Sequence, residues 1–275
     1  MSDFLTSAQG LRDRGDGLWT TDEVGEVSYP EDGHDGCRAI EDGSFWFAHR
    51  SAVLLDALGR FPPDGCVLDV GGGNGHVTKA LLDAGYRAVL LEPGPAGIAH
   101  ARARGVFPLV HSTLAQARFR AGSVPAAGVF DVVEHVADDV LFFRELHQAL
   151  IPRGRLYVTV PAFGWLWSHA DVHAGHYRRY TRHALARALA VAGFELEWLT
   201  CMFSFVAPPL FLLKSVPDKM RRPPRDRQEQ AEREHDPPRP ARALLKALGR
   251  AERAWLRSGR TLPVGSSVLA VARRG

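Results

Sequence analysis

Short apolar runs alternate with longer amphipathic segments along most of the chain. The runs that are typical of buried strands lie at 66–70, 88–93, 106–110, 126–132, 150–161, 194–200 and 266–273. The segments between them with helical periodicity lie at 76–84, 96–104, 137–150 and 182–192. Strands that alternate with helices in this way predict a doubly wound α/β fold, in which helices cover both faces of a mostly parallel sheet.

The region before the first of these runs has a different pattern. Residues 1–36 are rich in Gly, Asp and Glu and keep no period of 2 or 3.6, which favours a flexible leader. The alternative is a flap in which Trp19 and Tyr29 help to cover a binding site. A helix is predicted over 40–60, and we expect the folded domain to span 37–275.

Some 60 residues separate the last two predicted strands. This insertion, 202–262, begins with an apolar stretch, continues with a Pro-rich charged stretch and ends with an amphipathic helix at 241–257. One side of that helix is an apolar stripe of Leu244, Leu248, Ala251 and Trp255. Residues 214–260 hold 14 Lys and Arg against 7 Asp and Glu. We expect a lid that packs its stripe against 203–213; peripheral membrane contact through 203–257 is the alternative.

Composition limits the kind of protein without naming its chemistry. A chain of 275 residues with 45% hydrophobic composition suits one globular domain with additions, and a net charge of +3 is too small to indicate a nucleic-acid partner. The start of the chain lacks the pattern of a secretory signal, and no apolar run approaches the ~20 residues that span a bilayer. Three widely spaced cysteines, Cys37, Cys66 and Cys201, form no disulfide or metal pattern. We expect a soluble, cytoplasmic protein and leave its oligomeric state open.

A glycine-rich stretch links the first predicted strand to the helix after it. Asp69 to Gly75 reads D-x-G-x-G-x-G, and glycines there allow positive φ and let a ligand lie against the backbone. Glu92 ends the next strand, where a carboxylate can accept hydrogen bonds from both hydroxyls of a ribose. The dinucleotide fingerprint G-x-G-x-x-G is excluded because its last position is His76.

This loop, the acidic end of the second strand and the order of the later segments resemble the class I S-adenosylmethionine-dependent methyltransferases. Two further stretches, EDGSFWFAHR at 41–50 and HYRRYT at 176–181, resemble the UbiE/UbiG-like bacterial branch of that superfamily. The resemblance covers the chain from about residue 36 to its end. It implies a Rossmann-like sheet of seven strands with an antiparallel last strand, and S-adenosylmethionine as the cofactor.

The resemblance also implies a set of cofactor-binding residues. Arg50 is expected to meet the methionine carboxylate, and Ser112 or Thr113 the adenine, since no acid follows the third strand. The expected set is Arg50, Asp69, Gly71, Gly73, Asn74, Gly75, Glu92, Pro93, Ser112, Thr113 and Asp131. Nearby, Asp42 or Ser44 is expected to cap the helix that carries Arg50. The three aromatics at 45–47 lie over the cofactor by resemblance, or are ordinary packing.

Polar residues follow the fourth strand. In the methyltransferase fold that the chain resembles, this strand ends beside the transferred methyl group. Asp131, Glu134 and His135 have the spacing i, i+3, i+4, so one helical turn would bring them to the same side. An acid beside a histidine can orient it as a base. The same spacing resembles the E-x-x-E-H metal-ligand set of ubiquinone-pathway O-methyltransferases, and Glu134 could instead only cap the next helix. We assign no metal ligand and keep Mg²⁺ or Zn²⁺ as a less favoured cofactor. The catalytic candidates are His135, His173 and His176.

The loop at 161–181 holds two Trp, three His, two Arg and two Tyr. Loops at the carboxyl edge of such a sheet form substrate walls, and this composition suits an anionic or planar substrate. The expected substrate contacts are Trp46, Trp165, Trp167, His169, Tyr177 and Arg178. Packing and ion pairs are the alternative role, and the H-x-D-x-H spacing from His169 to His173 is too loose to predict a metal.

The function that follows is SN2 transfer of the methyl group of S-adenosylmethionine to an O, N or C nucleophile of a small molecule. A methyltransferase-like protein that binds S-adenosylmethionine without catalysis is one alternative. Methylation of a lipid-linked or peptide substrate is another. Nucleic acid is not expected, because D-V-V-E at 131–134 replaces the N/D-P-P-Y/F tetrapeptide of base methylation.

Overall fold

A nine-stranded sheet forms the centre of the protein in the computed structural model, which describes residues 3–25, 31–212 and 239–275. The strands are β1 (Arg12–Asp13), β2 (Leu18–Thr20), β3 (Val67–Val70), β4 (Ala88–Glu92), β5 (Leu109–His111), β6 (Val124–Phe130), β7 (Leu150–Pro161), β8 (Phe194–Met202) and β9 (Ser267–Arg274). Their order is β1-β2-β5-β4-β3-β6-β7-β9-β8. The strands from β2 to β7 run parallel, whereas β1 is antiparallel to β2, and β9 is antiparallel to both β7 and β8.

Helices cover both faces of this sheet. They are α1 (Asp3–Thr6), α2 (Glu31–Glu41), α3 (Phe45–Arg60), α4 (His76–Asp83), α5 (Pro95–Ala103), α6 (Leu114–Ala117), α7 (Asp139–Ala149), α8 (His169–His173), α9 (Arg182–Val191), α10 (Ala207–Leu210) and α11 (Arg239–Arg257). Successive strand side chains point to opposite faces, so Leu68 packs with Phe143 of α7 while Val67 packs with Leu54 of α3. Within the described ranges, no helix is long and apolar enough to cross a membrane.

The predicted doubly wound α/β architecture is confirmed, and each of the seven predicted strands has a counterpart from β3 to β9. The antiparallel last strand is confirmed as well. The strand count of seven is wrong, because β1 and β2 extend the sheet beyond β5. These two strands have two and three residues, which is too short for an alternating pattern to appear in the sequence.

Residues 3–25 form part of the core. Phe4 and Leu5 are buried, and Trp19 in β2 pairs with Val110 and is only 6% exposed. The expectation of a flexible leader therefore does not hold for 3–25, and Trp19 packs inside the fold instead of covering a site. Tyr29, the other residue of the expected flap, lies outside the described residues.

The predicted helix over 40–60 is two helices. A short turn after Glu41 separates α2 from α3, and Ser44 caps α3 by accepting a hydrogen bond from the backbone N–H of Trp46 (3.1 Å). Of the two expected caps, Ser44 is therefore the one in place. The turn redirects the chain, so α2 lies over the carboxyl edge of the sheet while α3 packs on its face.

The amphipathic helix near the end of the insertion is present as α11, but it buries another side than expected. Leu256, Gly249 and Glu252 are buried, whereas Leu244, Leu248 and Trp255 of the predicted stripe are 60%, 38% and 44% exposed. These three side chains of the stripe therefore do not pack against the described part of 203–213, and a lid role for 202–262 stays a prediction. The carboxylate of Glu252 accepts hydrogen bonds from backbone N–H groups just after β8, and this polar contact decides which side of α11 is buried.

Candidate active site

A cavity of about 920 Å³ opens at the carboxyl ends of β3, β4 and β6. The glycine loop after β3 forms its floor on one side, and the polar segment after β6 forms the other side. Residues of α2 and α3 cover it. This is the edge at which open α/β sheets bind their ligands, and the volume is sufficient for a nucleoside and a second small molecule.

The glycine loop has the backbone that the motif predicts. Gly71, Gly73 and Gly75 all have positive φ, at 69°, 53° and 76°. A Cβ on Gly75 would lie 2.9 Å from Cβ of Ala101, so this glycine lets α4 and α5 approach each other. A Cβ on Gly73 would project toward the cavity, where its nearest neighbour is a ring carbon of His34 at 4.0 Å. Gly73 therefore keeps open the space that a ligand lying on this loop would fill.

Two buried carboxylates support the loop. Glu92 accepts hydrogen bonds from the N–H of Gly73 (2.9 Å) and of Gly94 (2.7 Å), and burial raises its pKa to about 7. Asp69 accepts a hydrogen bond from the hydroxyl of Thr78 (2.5 Å), and burial raises its pKa to about 6. Both carboxylates line the cavity as well as bracing the backbone.

Helix α2 contributes residues that the sequence pattern did not indicate. The side-chain amide of Asn74 donates to the carbonyl of His34 (2.8 Å) and to the carboxylate of Glu41 (3.3 Å), which ties α2 to the glycine loop. The ring of His34 lies 3.8 Å from Glu92, measured from Nε2 to Oε1. His34, Cys37 and Glu41 all line the cavity. In the sequence, the only sign of this role was a histidine and an acid, His34 and Glu41, in a segment without a clear hydrophobic period.

Arg50 reaches the cavity from α3 and forms an ion pair with Asp131. Asp131 has a positive φ of 59° and also accepts a hydrogen bond from the hydroxyl of Thr159 (3.1 Å). Nε of Arg50 is buried and has no hydrogen-bond partner among the described residues. The guanidinium of Arg50 therefore brings positive charge to the cavity wall, which suits an anionic ligand group.

A second polar group lies across the cavity from the glycine loop. A 3₁₀ turn over Val133–His135 follows β6 and presents Glu134 and His135, and the loop after α8 brings His176 to them. The rings of His135 and His176 are 4.7 Å apart, and all three side chains can place a ligand atom within 4.8 Å of one another. Asp131 precedes the 3₁₀ turn and faces Arg50, so the predicted trio is divided between two clusters.

The titration of this cluster follows from its burial. Burial lowers the pKa of His135 to about 4, and the neighbouring His176 adds to the shift. Burial, together with the charge of Asp131, raises the pKa of Glu134 well above its ordinary value. His135 is therefore a neutral and weakly basic imidazole at neutral pH.

Asp171 orients His176. Its Oδ1 lies 2.8 Å from Nδ1 of His176, and its two oxygens also accept hydrogen bonds from Arg179 (2.7 and 3.0 Å). Burial alone would raise the pKa of Asp171, but the hydrogen bonds from His176 and Arg179 outweigh it and lower the pKa to about 2. An ionised partner at Nδ1 places the imidazole proton there and leaves Nε2 as a proton acceptor.

The structure divides the predicted site residues into two sets. Those that line the cavity are Trp46, Arg50, Asp69, Gly71, Gly73, Asn74, Glu92, Pro93, Asp131, His135, His176 and Tyr177. Those that lie away from its wall are Gly75, Ser112, Thr113, Trp165, Trp167, His169, His173 and Arg178.

Local contacts explain several of the displaced residues. The hydroxyl of Ser112 donates to the carbonyl of Thr113, and Thr113 caps α6. His169 and His173 are exposed at the ends of α8. Arg178 donates to the carbonyl of Ala137 (2.6 Å). The sequence pattern indicated which loop forms the wall, but the direction of each side chain depends on the turn at α8.

Comparison with known proteins agrees with this geometry. The family described as "Methyltransferase domain" matches residues 46–199, more than half of the chain. The chain belongs to this family, and its fold is that of the class I S-adenosylmethionine-dependent methyltransferases. It is 29% identical over 163 residues to a probable S-adenosylmethionine-dependent methyltransferase of Mycolicibacterium smegmatis. That match covers 58% of this chain and 62% of the relative, so the chain spans about three fifths of that relative's length.

Solved structures with low sequence identity share the fold. An S-adenosylmethionine-dependent methyltransferase of Thermotoga maritima aligns with a TM-score of 0.54 at 15% identity, over 89% of this chain and 95% of that one. Phosphoethanolamine N-methyltransferase 2 of Haemonchus contortus, in complex with S-adenosyl-L-methionine, aligns with a TM-score of 0.55 at 16% identity, over 90% of this chain and 58% of that one.

Proposed function

We propose that the glycine-loop half of the cavity binds S-adenosylmethionine. Glu92 would accept hydrogen bonds from the ribose hydroxyls, the 71–73 backbone would lie under the methionine portion, and Arg50 would bind its carboxylate. The guanidinium of Arg50 at the cavity wall and the open space above Gly73 support this placement, since the first suits an anionic group and the second a ligand that lies against the backbone. Asn74 and α2 would close over the nucleoside.

The proposed reaction is transfer of the S-methyl group to an O, N or C nucleophile of a small molecule in the other half of the cavity. The sulfonium supplies a good leaving group, so the protein has to align the nucleophile with the methyl carbon and exclude water. The observation that carries this proposal is the continuity of one 920 Å³ cavity between Glu92 and the cluster at His176. A protein that only bound the cofactor would not need the second half.

For an O or N nucleophile we propose His176 as the base. Asp171 fixes its tautomer, and Nε2 is then able to take the proton as the methyl group is transferred. His135, which the sequence pattern favours as the base, has a pKa lowered to about 4 and is a poor proton acceptor at neutral pH. We assign it to the wall that holds the acceptor. His173 is exposed and has no place in this mechanism.

A divalent cation at the same cluster is the competing arrangement. Two imidazoles and a carboxylate from Glu134, His135 and His176 fit the donor set of Zn²⁺, and Asp171 would orient one ligand from behind. Such an ion would act as a Lewis acid on the acceptor oxygen. Proton abstraction requires only groups that the chain itself supplies, so we keep it as the proposal.

Three finer assignments belong to the same proposal. The segments at 41–50 and 176–181 support membership of the UbiE/UbiG-like bacterial branch. The acceptor is proposed to be planar or anionic, because the aromatic side chains of Trp46 and Tyr177 line the cavity together with basic residues. The folded domain is proposed to act in the cytoplasm.

Calorimetric titration with S-adenosylmethionine tests the proposal. Glu92→Ala should weaken binding by roughly 10- to 100-fold, because two hydrogen bonds to a buried carboxylate are lost. Glu195→Ala is the matched control, since Glu195 is an exposed acid in β8 that pairs with Arg273. Binding that is absent in the unmodified protein, or that Glu92→Ala leaves unchanged, would contradict the cofactor assignment.

A further inference from the structure

The orientation of α11 on the protein is fixed by polar contacts on one side of the helix. Glu252 accepts hydrogen bonds from Nε2 of His49 (2.9 Å) and from the backbone N–H groups of Phe203 and Ser204 (2.7 Å each). Next to it, Arg253 forms an ion pair with Asp56 of α3. These contacts hold α11 firmly, so the exposure of its other side chains does not come from a loosely attached helix.

The outward side of α11 carries large apolar side chains. Leu244, Leu248 and Trp255 are 60%, 38% and 44% exposed, and Ala251 between them is exposed as well. Their spacing of four, three and four residues places them in one stripe along the helix. Scattered apolar residues are ordinary on a protein surface, but four in a continuous stripe on a firmly held helix indicate a contact surface. We call these four residues the α11 stripe.

Basic residues lie on another side of α11 from the stripe. Residues 239–260 contain seven Lys and Arg and a single acid, Glu252, which is buried. Lys246 and Arg250 are exposed on α11, and the guanidinium of Arg260 lies 4.6 Å from the ring centre of Trp255. A Trp beside an Arg, together with leucines on one side and cations on another, is the pattern of a helix that lies in the interface of a membrane.

We propose that the α11 stripe docks this protein on an anionic lipid surface. The positive charge argues for lipid phosphate groups, since Lys246, Arg250 and Arg260 are exposed and the region 239–260 carries a single, buried acid. The cavity lies close to this surface: Leu245 of α11 and Val206, just before α10, line it, so its mouth would open beside the docked face. The proposal does not depend on the proposed chemistry, because it concerns a surface outside the cavity.

Co-sedimentation with vesicles tests the proposal. The 275-residue protein should sediment with vesicles of phosphatidylglycerol and phosphatidylcholine and remain in the supernatant with pure phosphatidylcholine. Leu248→Glu and Arg250→Glu should each reduce binding by roughly tenfold or more, the first by removing apolar contact and the second by reversing a charge at the surface. Raising the salt concentration should weaken binding of the unmodified protein.

Matched controls lie on α9, on the other face of the sheet. Val191 is an apolar side chain there that is 52% exposed, and Arg187 is an exposed cation. Val191→Glu and Arg187→Glu make the same chemical changes and should leave vesicle binding within about twofold. Thermal unfolding would verify that all four variants fold, and Leu244→Glu replaces Leu248→Glu if that variant does not.

Three results would overturn the proposal. The first is no binding of the unmodified protein to anionic vesicles at low salt. The second is an equal loss of binding in the α9 and α11 variants, which would indicate a nonspecific charge effect. The third is a dimer in light scattering that Leu248→Glu converts to a monomer, because the α11 stripe would then be covered by a second copy.

Discussion

Glu92 holds its carboxylate where water hardly reaches, and burial raises its pKa to about 7. The group is therefore protonated below that pH and ionised above it. Only the ionised form has two oxygens without a proton, so only this form can accept a hydrogen bond from each ribose hydroxyl. Glu92 is thus expected to make cofactor binding depend on pH.

We predict that the affinity for S-adenosylmethionine increases by about tenfold between pH ~6 and ~8 and then levels off, as the proton leaves Glu92. Titration calorimetry across this range measures the effect. Glu92→Gln should bind weakly with a flat profile, because its side chain does not titrate. The same slope in both proteins would show that another group is responsible.

His176 and His173 provide a matched pair in one loop. His176 lines the cavity with Asp171 behind it, whereas His173 is exposed at the end of α8. We predict that His176→Ala lowers kcat by about 10²- to 10⁴-fold, the usual contribution of a general base, and leaves the Kd for S-adenosylmethionine unchanged. His173→Ala should change kcat by less than about twofold.

The measurement is formation of S-adenosylhomocysteine with the best acceptor from a panel of phenols and amines. Equal loss of activity in the two variants would argue for a general role of the loop. No loss in His176→Ala would exclude it as the base.

At the scale of single residues, the sequence pattern located some site residues and missed others, and the reason is physical. The glycines and Glu92 are tied to the end of a strand, so their position follows from the motif. His34, Asp171 and Arg179 lie on segments whose direction is set by tertiary contacts, and no local period reports where such side chains point. Ser112 and Thr113 were expected at the site, but their hydroxyls bond locally.

Among the elements, α11 depends on one buried carboxylate for its attachment. Glu252 accepts hydrogen bonds from His49, from two backbone N–H groups and from the hydroxyl of Ser204. Removing it would leave these donors buried without an acceptor. We predict that Glu252→Ala lowers the free energy of unfolding by about 3 kcal/mol.

Urea unfolding measures this loss of stability. Arg250→Ala on the exposed side of the same helix is the control, with an expected change below about 0.5 kcal/mol. A similarly small effect of Glu252→Ala would mean that α11 is not held by this contact. The outward direction of the α11 stripe would then lose its explanation.

The position of α11 illustrates how far an amphipathic pattern can be taken. The sequence predicts the helix itself correctly, because the pattern of Leu, Ala and Arg has helical periodicity over several turns. It does not predict which side is buried, because the four hydrogen bonds that Glu252 accepts stabilise the observed orientation more than burial of the Leu and Trp stripe would stabilise another. The short strands β1 and β2 could not be predicted either, because two or three residues do not establish a period.

At the scale of the whole molecule, the order of strands and helices was predictable because each has a strong local pattern and parallel strands require helices between them. The same topology brings the ends of β3, β4 and β6 to one edge, so Asp69, Glu92 and Asp131 meet there although they are distant in sequence. The covering helix α2 could not be predicted, because its residues lack an apolar period.

The most direct test of the account is a crystal structure of the protein with S-adenosylhomocysteine. We predict that the ribose hydroxyls lie on the carboxylate of Glu92, that the ligand carboxylate meets the guanidinium of Arg50, and that the sulfur faces the side of the cavity formed by His135 and His176. A ligand bound elsewhere, or bound with its sulfur turned away from His176, would contradict the central claim that one cavity joins the methyl donor to its acceptor.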